Sequence, residues 1–183
     1  MTIIDAAGVT FTAPIFYASP GQLNYRVPAN VATGVATVRV SANGAVIPGG
    51  INVVPTYPGL FKVNTDGLAA AQVARVRSGQ VVYESVVRAG TGGAFEPAPI
   101  SLANTLENPT LVLYATGLNG ATDVTATIGG VTATVDFAGP QGTWAGLEQI
   151  NLRIPATLAG KGKVEVLVAA GGKKSNPVFV TFQ

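Results

Sequence analysis

Residues 22–29 read QLNYRVPA and residues 149–156 read QINLRIPA. Each sets a polar row of Gln, Asn and Arg against an apolar row with a period of two, and each is stopped by proline, which cannot donate to a sheet ladder. A period of two fits a pleated strand with one covered face and excludes an amphipathic helix. Because the motif is written twice with the same Gln, Asn, Arg, Pro and Ala, it also says that one strand-bearing unit occurs twice in the chain.

The segments around the second copy carry the same signal. PTLVLYATGL (109–118) is apolar on both faces, as a central buried strand is, and Gly117 ends it. VTATIGGVTATVDF (124–137) is two alternating runs around Gly129 and Gly130, a hairpin signal. LEQINLRIP (147–155), VEVLVAA (164–170) and PVFVTF (177–182) follow, the last two separated by the turn GGKKSN. At 48% hydrophobic, with 23 Gly and 12 Pro as punctuation, the 183 residues have ample apolar material for packed cores. The expected fold class is all-β, and residues 107–183 are expected to form an immunoglobulin-like sandwich.

Residues 1–57 repeat part of this order. GVTFTAPIFYASP (8–20) parallels GVTATVDFAGP (130–140), and GVATVRVSANG (34–44) parallels GKVEVLVAAGG (162–172). Nothing before Gly8 parallels PTLVLYATGL, since only MTIIDAA stands there. The first domain is therefore expected to be a partial sandwich lacking an N-terminal strand, with unpaired backbone groups and uncovered apolar side chains. An upstream segment of a longer protein, the connecting segment of this chain, or a strand from a neighbouring molecule would each fill the gap. In the last case MTIIDAA, with Ile3 and Ile4, is the segment expected to cross between subunits.

Residues 58–106 are expected to connect the two domains. AAAQVARV and VVYESVVRA form strands of a hairpin around Ser78 and Gly79, although 69–77 is also open to a short helix on propensity. TGGAFEPAPISLANTLEN is Gly- and Pro-punctuated and is expected to cross from one domain to the other.

The chain contains no Cys and no His. That removes disulfides, a Ser-His-Asp triad, a Cys nucleophile, a His general base and the usual zinc ligands. The net charge of +2 comes from dispersed residues and leaves no footprint for nucleic acid. Lys161 and Lys163 are separated from Lys173 and Lys174 by the strand VEVLVAA, which at ~3.3 Å per residue spans ~23 Å. No run approaches the ~18 apolar residues of a membrane span, and MTIIDAAGV lacks the basic and apolar regions of a signal peptide.

Carboxylate chemistry would draw on Asp5, Asp66, Glu84, Glu96, Glu107, Asp123, Asp136, Glu148 and Glu165, most of which fall at turns or strand ends. NTDG (64–67) reads as a turn because it lacks the alternating acids of a calcium loop, and GTGG (90–93) and IGG (128–130) have no Lys-Ser/Thr and so are not phosphate loops. No cofactor is expected. Phe16, Tyr17, Tyr25, Tyr57, Phe61, Phe95, Tyr114, Phe137, Phe179 and Phe182 are expected mostly on core-facing strand positions. Trp144, in the PQGTWAG insertion that distinguishes the second copy, either folds over the sandwich end or meets a partner or glycan. The rows Gln22, Asn24, Arg26, Pro28 and Gln149, Asn151, Arg153, Pro155 read as scaffold: Asn tying neighbouring loops, Arg laying its stem over the sheet, Pro ending the ladder.

The ordered series PGLF, AAAQVARVRSGQVVYESVV, APISL, LVLYATGL, VTATIGGVTATVDFAGPQG, GLEQINLRIP and SNPVFVTF resembles the uncharacterised Solibacter-type C-terminal domain family of large secreted acidobacterial proteins, over nearly the whole chain. Within it, residues 109–182 resemble IPT/TIG immunoglobulin-like domains, with ATGL and IGGVTA in the expected places. The resemblance implies an extracellular or cell-surface location and an additional strand upstream of Gly8. The expected function is a non-catalytic structural or adhesion module, in its specific form a self-assembling subunit completed by a neighbour's strand. A spacer or attachment module of a large secreted protein is the alternative, and a carboxylate-dependent glycan hydrolase the remote one.

Overall fold

The computed structural model describes residues 1–104 and 107–183; the end of the crossing segment, residues 105 and 106, lies outside them. The chain is all-β and divides into two compact units, Met1–Pro55 and Thr56–Gln183.

The first unit contains β1 (Thr2–Ile4), β2 (Thr10–Thr12), β3 (Ile15–Ser19), β4 (Gln22–Tyr25), β5 (Gly34–Ala42) and β6 (Ala45–Val53). One antiparallel sheet runs β2-β1-β5-β6, and β3 and β4 form a separate two-stranded sheet. Asn43 and Gly44, at φ 50° and 80°, make the tight turn between β5 and β6 that Asn-Gly favours. The core is small: Ile3, Ala13, Val31, Ala36 and Val38, with Phe11, Tyr25, Val40, Ile51 and Val53 packed half-buried against it.

The N-terminal segment, expected to cross between subunits, is a strand of its own unit. It supplies β1, paired with β2 on one side and β5 on the other, and Ile3 is fully buried opposite Phe11 and Val38. Both edges of β1 are used inside its own unit, so its backbone has nothing to offer a neighbour.

The second unit contains β7 (Gly59–Leu60), β8 (Ala71–Arg77), β9 (Gln80–Ser85), β10 (Val87–Ala89), β11 (Phe95–Pro97), β12 (Thr110–Thr116), β13 (Thr125–Ile128), β14 (Val131–Ala133), β15 (Val135–Pro140), β16 (Glu148–Arg153), β17 (Gly162–Ala170), β18 (Lys173–Lys174) and β19 (Val178–Phe182). One sheet runs β15-β16-β12-β8-β9 with β7 added to β12; the other runs β14-β13-β17-β18 with β19 on β17. Leu111, Leu113, Ile150 and Leu152 of the first sheet and Ile128, Val166, Val168, Val178, Val180 and Phe182 of the second share one buried core. This is the sandwich that the alternation predicts.

Three expectations are corrected by pairing. The hairpin of the presumed connector is part of the second sandwich: β8 pairs with β12, placing Val73 opposite Leu111 and Ala71 opposite Leu113. An isolated hairpin would have left those residues in water. Residues 71–77 are strand, as the hairpin reading has them, but VVYESVVRA breaks at buried Val86, where β10 turns away to pair with β11. The run VTATVDF, continuous by pattern, changes sheets at Thr134, β14 joining β13 and β15 joining β16.

Gly117 ends β12 as expected, with a reason only the fold supplies. At φ +82° a Cβ there would collide with the Tyr57 carbonyl, while Tyr57 N–H donates to the Gly117 carbonyl at 2.8 Å. The aromatics depart from expectation. Phe16, Tyr17, Tyr57, Phe61, Phe95 and Phe137 are exposed, and the second core is aliphatic apart from Phe182.

Candidate functional site

The two copies match residue by residue in their hydrogen-bond ladders. β3 pairs with β4 as Ile15↔Tyr25, Tyr17↔Asn24, Ala18↔Leu23 and Ser19↔Gln22, with a bulge between Ile15 and Tyr17. β15 pairs with β16 as Val135↔Leu152, Phe137↔Asn151, Ala138↔Ile150 and Gly139↔Gln149, with a bulge at the same place. Arg26 N–H donates to the Pro14 carbonyl at 3.0 Å, as Arg153 N–H does to that of Thr134 at 2.9 Å. β4 is therefore the counterpart of β16.

Their other edges differ. β16 pairs along its length with β12, from Thr110↔Arg153 to Ala115↔Glu148. Among the described residues, no strand pairs with the outer edge of β4. Pro20 and Gly21 join β3 to β4 as a two-residue turn, so Ser19 and Gln22 form the closing bonded pair. With Arg26 bonded back to Pro14, this phase turns the backbone groups of Leu23 and Tyr25 outward. Both side chains are half-buried, and Tyr25, on the same face as Leu23, packs against the core. Beside them β3 is exposed throughout, Phe16 at 59%. An edge with free donors and acceptors and a half-covered apolar face is a site for one more strand.

The polar rows are built alike in both copies. Gln22 Nε2 donates to Asn24 Oδ1 at 2.7 Å, and Gln149 Nε2 to Asn151 Oδ1 at 2.8 Å, so each Asn is tied along its own strand and not to a loop. The prolines open matching turns: the Pro28 carbonyl accepts from Val31 N–H at 3.3 Å and that of Pro155 from Leu158 N–H at 3.1 Å, which buries Val31 and Leu158. The arginines diverge. Arg153 pairs with Asp136 at 2.9 Å, whereas the bulge residue that matches Asp136 on β3 is Phe16.

The most buried charge escaped the sequence reading. Arg75, 3% exposed, donates to Glu84 at 2.8 Å, Glu107 at 3.2 Å and the Ser101 carbonyl at 2.7 Å. Arg77 bridges the same two acids, to Glu84 at 2.7 Å and Glu107 at 2.9 Å. A guanidinium on the face of Ala71 and Val73 was the available signal, since a charge in an apolar row must bring its partners. The network fastens the β8–β9 hairpin to Ser101 and Glu107.

Three other acids act as acceptors for backbone groups. Asp5 receives the N–H groups of Ala7, Val9 and Ala32 at 2.9–3.0 Å, Glu148 those of Leu118 and Asn119, and Asp123 that of Gly171. The Ala32 N–H, above all, holds the Asp5 carboxyl below its ordinary range. The hydrogen bond from Arg75 lowers Glu84, and that from Arg77 lowers Glu107.

Two shallow polar clefts, of about 280 Å³ at Asn108, Thr110, Asp136 and Arg153 and about 420 Å³ at Val76, Arg77, Ser78, Asn104 and Glu107, border these ion pairs. Among the described residues no group of three or more acids is placed to hold a metal, and no helix is long and apolar enough to cross a membrane. Trp144 stands 71% exposed on the loop between β15 and β16, so it does not fold over the sandwich end.

The fold and its site define a class: an all-β chain of two immunoglobulin-like units, the first of which has no strand beside β4 where the second has β12 beside β16. No protein-family model matches the chain, and no curated protein or solved structure is significantly similar to it.

Proposed function

We propose that the protein is a non-catalytic extracellular structural or adhesion module whose first sandwich is completed by a β-strand from a neighbouring chain, linking subunits into filament-like assemblies. The observation that carries this reading is the free edge of β4, at the position where β16 is covered by β12. Bonding along that edge would satisfy the outward backbone groups of Leu23 and Tyr25 and cover a core that now buries five residues fully. Resemblance to the Solibacter-type C-terminal domain family and to IPT/TIG domains supports the extracellular location and the role as a module.

A second reading has an observation of its own. In the second unit the loop 117–124 joins β12 directly to β13, and the counterpart of β13 is β1. A strand leading into Met1 from upstream in a longer protein would fill the same slot, making the chain a spacer or surface-attachment module.

The test common to both readings uses a peptide with the sequence of residues 109–117. Hydrogen exchange is expected to show new protection at the amides of Leu23 and Tyr25 when the peptide is added. Unchanged exchange at both amides would remove strand completion as the function.

A further inference from the structure

The chain has a second unguarded strand edge, and it matches the first. The long sheet of the second unit ends at β9. Two other edges are blunted: β15 carries a bulge at Asp136 and finishes in Gly139 and Pro140, and β6 contains Pro48, Gly49 and Gly50. β9, with the sequence QVVYES, has no Lys, Pro or bulge, and Val81 and Tyr83 are each 57% exposed.

The phase of β9 follows from its hairpin. Ser78 and Gly79 form a two-residue turn that pairs Arg77 with Gln80, so Gln80, Val82 and Glu84 turn their backbone groups toward β8. Val81 and Tyr83 turn theirs outward, as Leu23 and Tyr25 do on β4. Set antiparallel, Tyr83 falls opposite Leu23 and Val81 opposite Tyr25, each pair able to exchange both backbone bonds. Residues directly opposite share a face, so Tyr83 and Val81 would cover the core side of β4, as Leu113 and Leu111 lie opposite Ile150 and Leu152.

We propose that the occupant of the β4 edge is β9 of a second copy of this chain, in the register Leu23 to Tyr83 and Tyr25 to Val81. The two patches are different, so the contact is heterologous and lets copies join head to tail. This rests on the reading that β4 accepts a strand from outside, and it names the donor.

The absence of cysteine makes the register directly testable. The double variant Leu23→Cys/Tyr83→Cys, gently oxidised, is expected to give a ladder of covalent multimers on a non-reducing gel, while Leu23→Cys/Lys161→Cys gives none. In the otherwise unaltered chain, Tyr83→Pro is expected to weaken concentration-dependent association about tenfold by sedimentation, because it removes an outward N–H and spares the ladder to β8. Monomers alone from the first pair, or association untouched by Tyr83→Pro, would overturn the proposal. If the peptide of residues 109–117 still protects Leu23 and Tyr25 in that case, β9 is the wrong donor and strand completion stands; if it does not, both fall.

Discussion

Gln149 Nε2 donates to Asn151 Oδ1 at 2.8 Å on β16, and the same bond recurs on β4, where Gln22 reaches Asn24 at 2.7 Å. One bond is half-buried beside β12 and the other stands in solvent beside an open edge. The recurrence ties the polar row to the strand itself in both copies. The difference in surroundings makes the pair an internal gauge of what the missing strand contributes.

Gln149→Ala is expected to cost about 1 kcal/mol in urea unfolding of the second unit, the usual net value of such a bond. Gln22→Ala is expected to cost less than about 0.5 kcal/mol in the first. Equal losses would show that β12 adds nothing to the bond.

The same gauge applies to the apolar row. Ile150 is fully buried under β12, and its counterpart Leu23 is only half-buried. Ile150→Ala is expected to destabilise by roughly 3 kcal/mol, and Leu23→Ala by under about 1 kcal/mol in the chain alone. With the strand peptide bound, the cost of Leu23→Ala should rise towards that of Ile150→Ala, measurable as a loss of peptide affinity.

Arg75 is buried with two carboxylates and a carbonyl as partners. Arg75→Met removes the buried member of this network and leaves Glu84 and Glu107 held by the more exposed Arg77 alone. It is expected to cost about 3 kcal/mol, at the low end for a buried pair because Glu84 is partly solvated. Hydrogen exchange should open first in β8 and β9.

Acid dependence follows from Asp5, Glu84 and Glu107, each held below its ordinary value of 3.8 or 4.5. The stability they contribute is fully present above those ordinary values and is lost as pH falls through the lowered folded-state ones. Asp5→Asn is expected to flatten the acid limb of the first unit's stability while leaving that of the second unchanged, read by amide exchange between pH 5 and 2.

Gly117→Ala is expected to destabilise the second unit by at least about 2 kcal/mol, since the position needs a left-handed backbone and lies against the Tyr57 carbonyl. Thermal unfolding would check it, with Gly120→Ala, also at positive φ but in open space, as the milder comparison.

The strands themselves were legible in the sequence, because alternation and Gly or Pro punctuation are local properties. The runs at 109–118, 147–155, 164–170 and 177–182 became β12, β16, β17 and β19 with small shifts at their ends. The absence of a β12 counterpart from the first copy was legible as well, since comparing two copies of one unit needs only their order. Partnership was not. That 71–77 would join β12, that VTATVDF would change sheets at Thr134, and that residues 2–4 would be locked between β2 and β5 all depend on which edges lie free nearby in space. The ion network of Arg75 belongs with these, because its partners at 84, 101 and 107 meet only after β8 and β9 have folded back and the chain has crossed above them. Local alternation determined what each segment could become; the requirement that every buried backbone group and charge find a partner, which acts between segments far apart in sequence, decided where each one went and left β4 open.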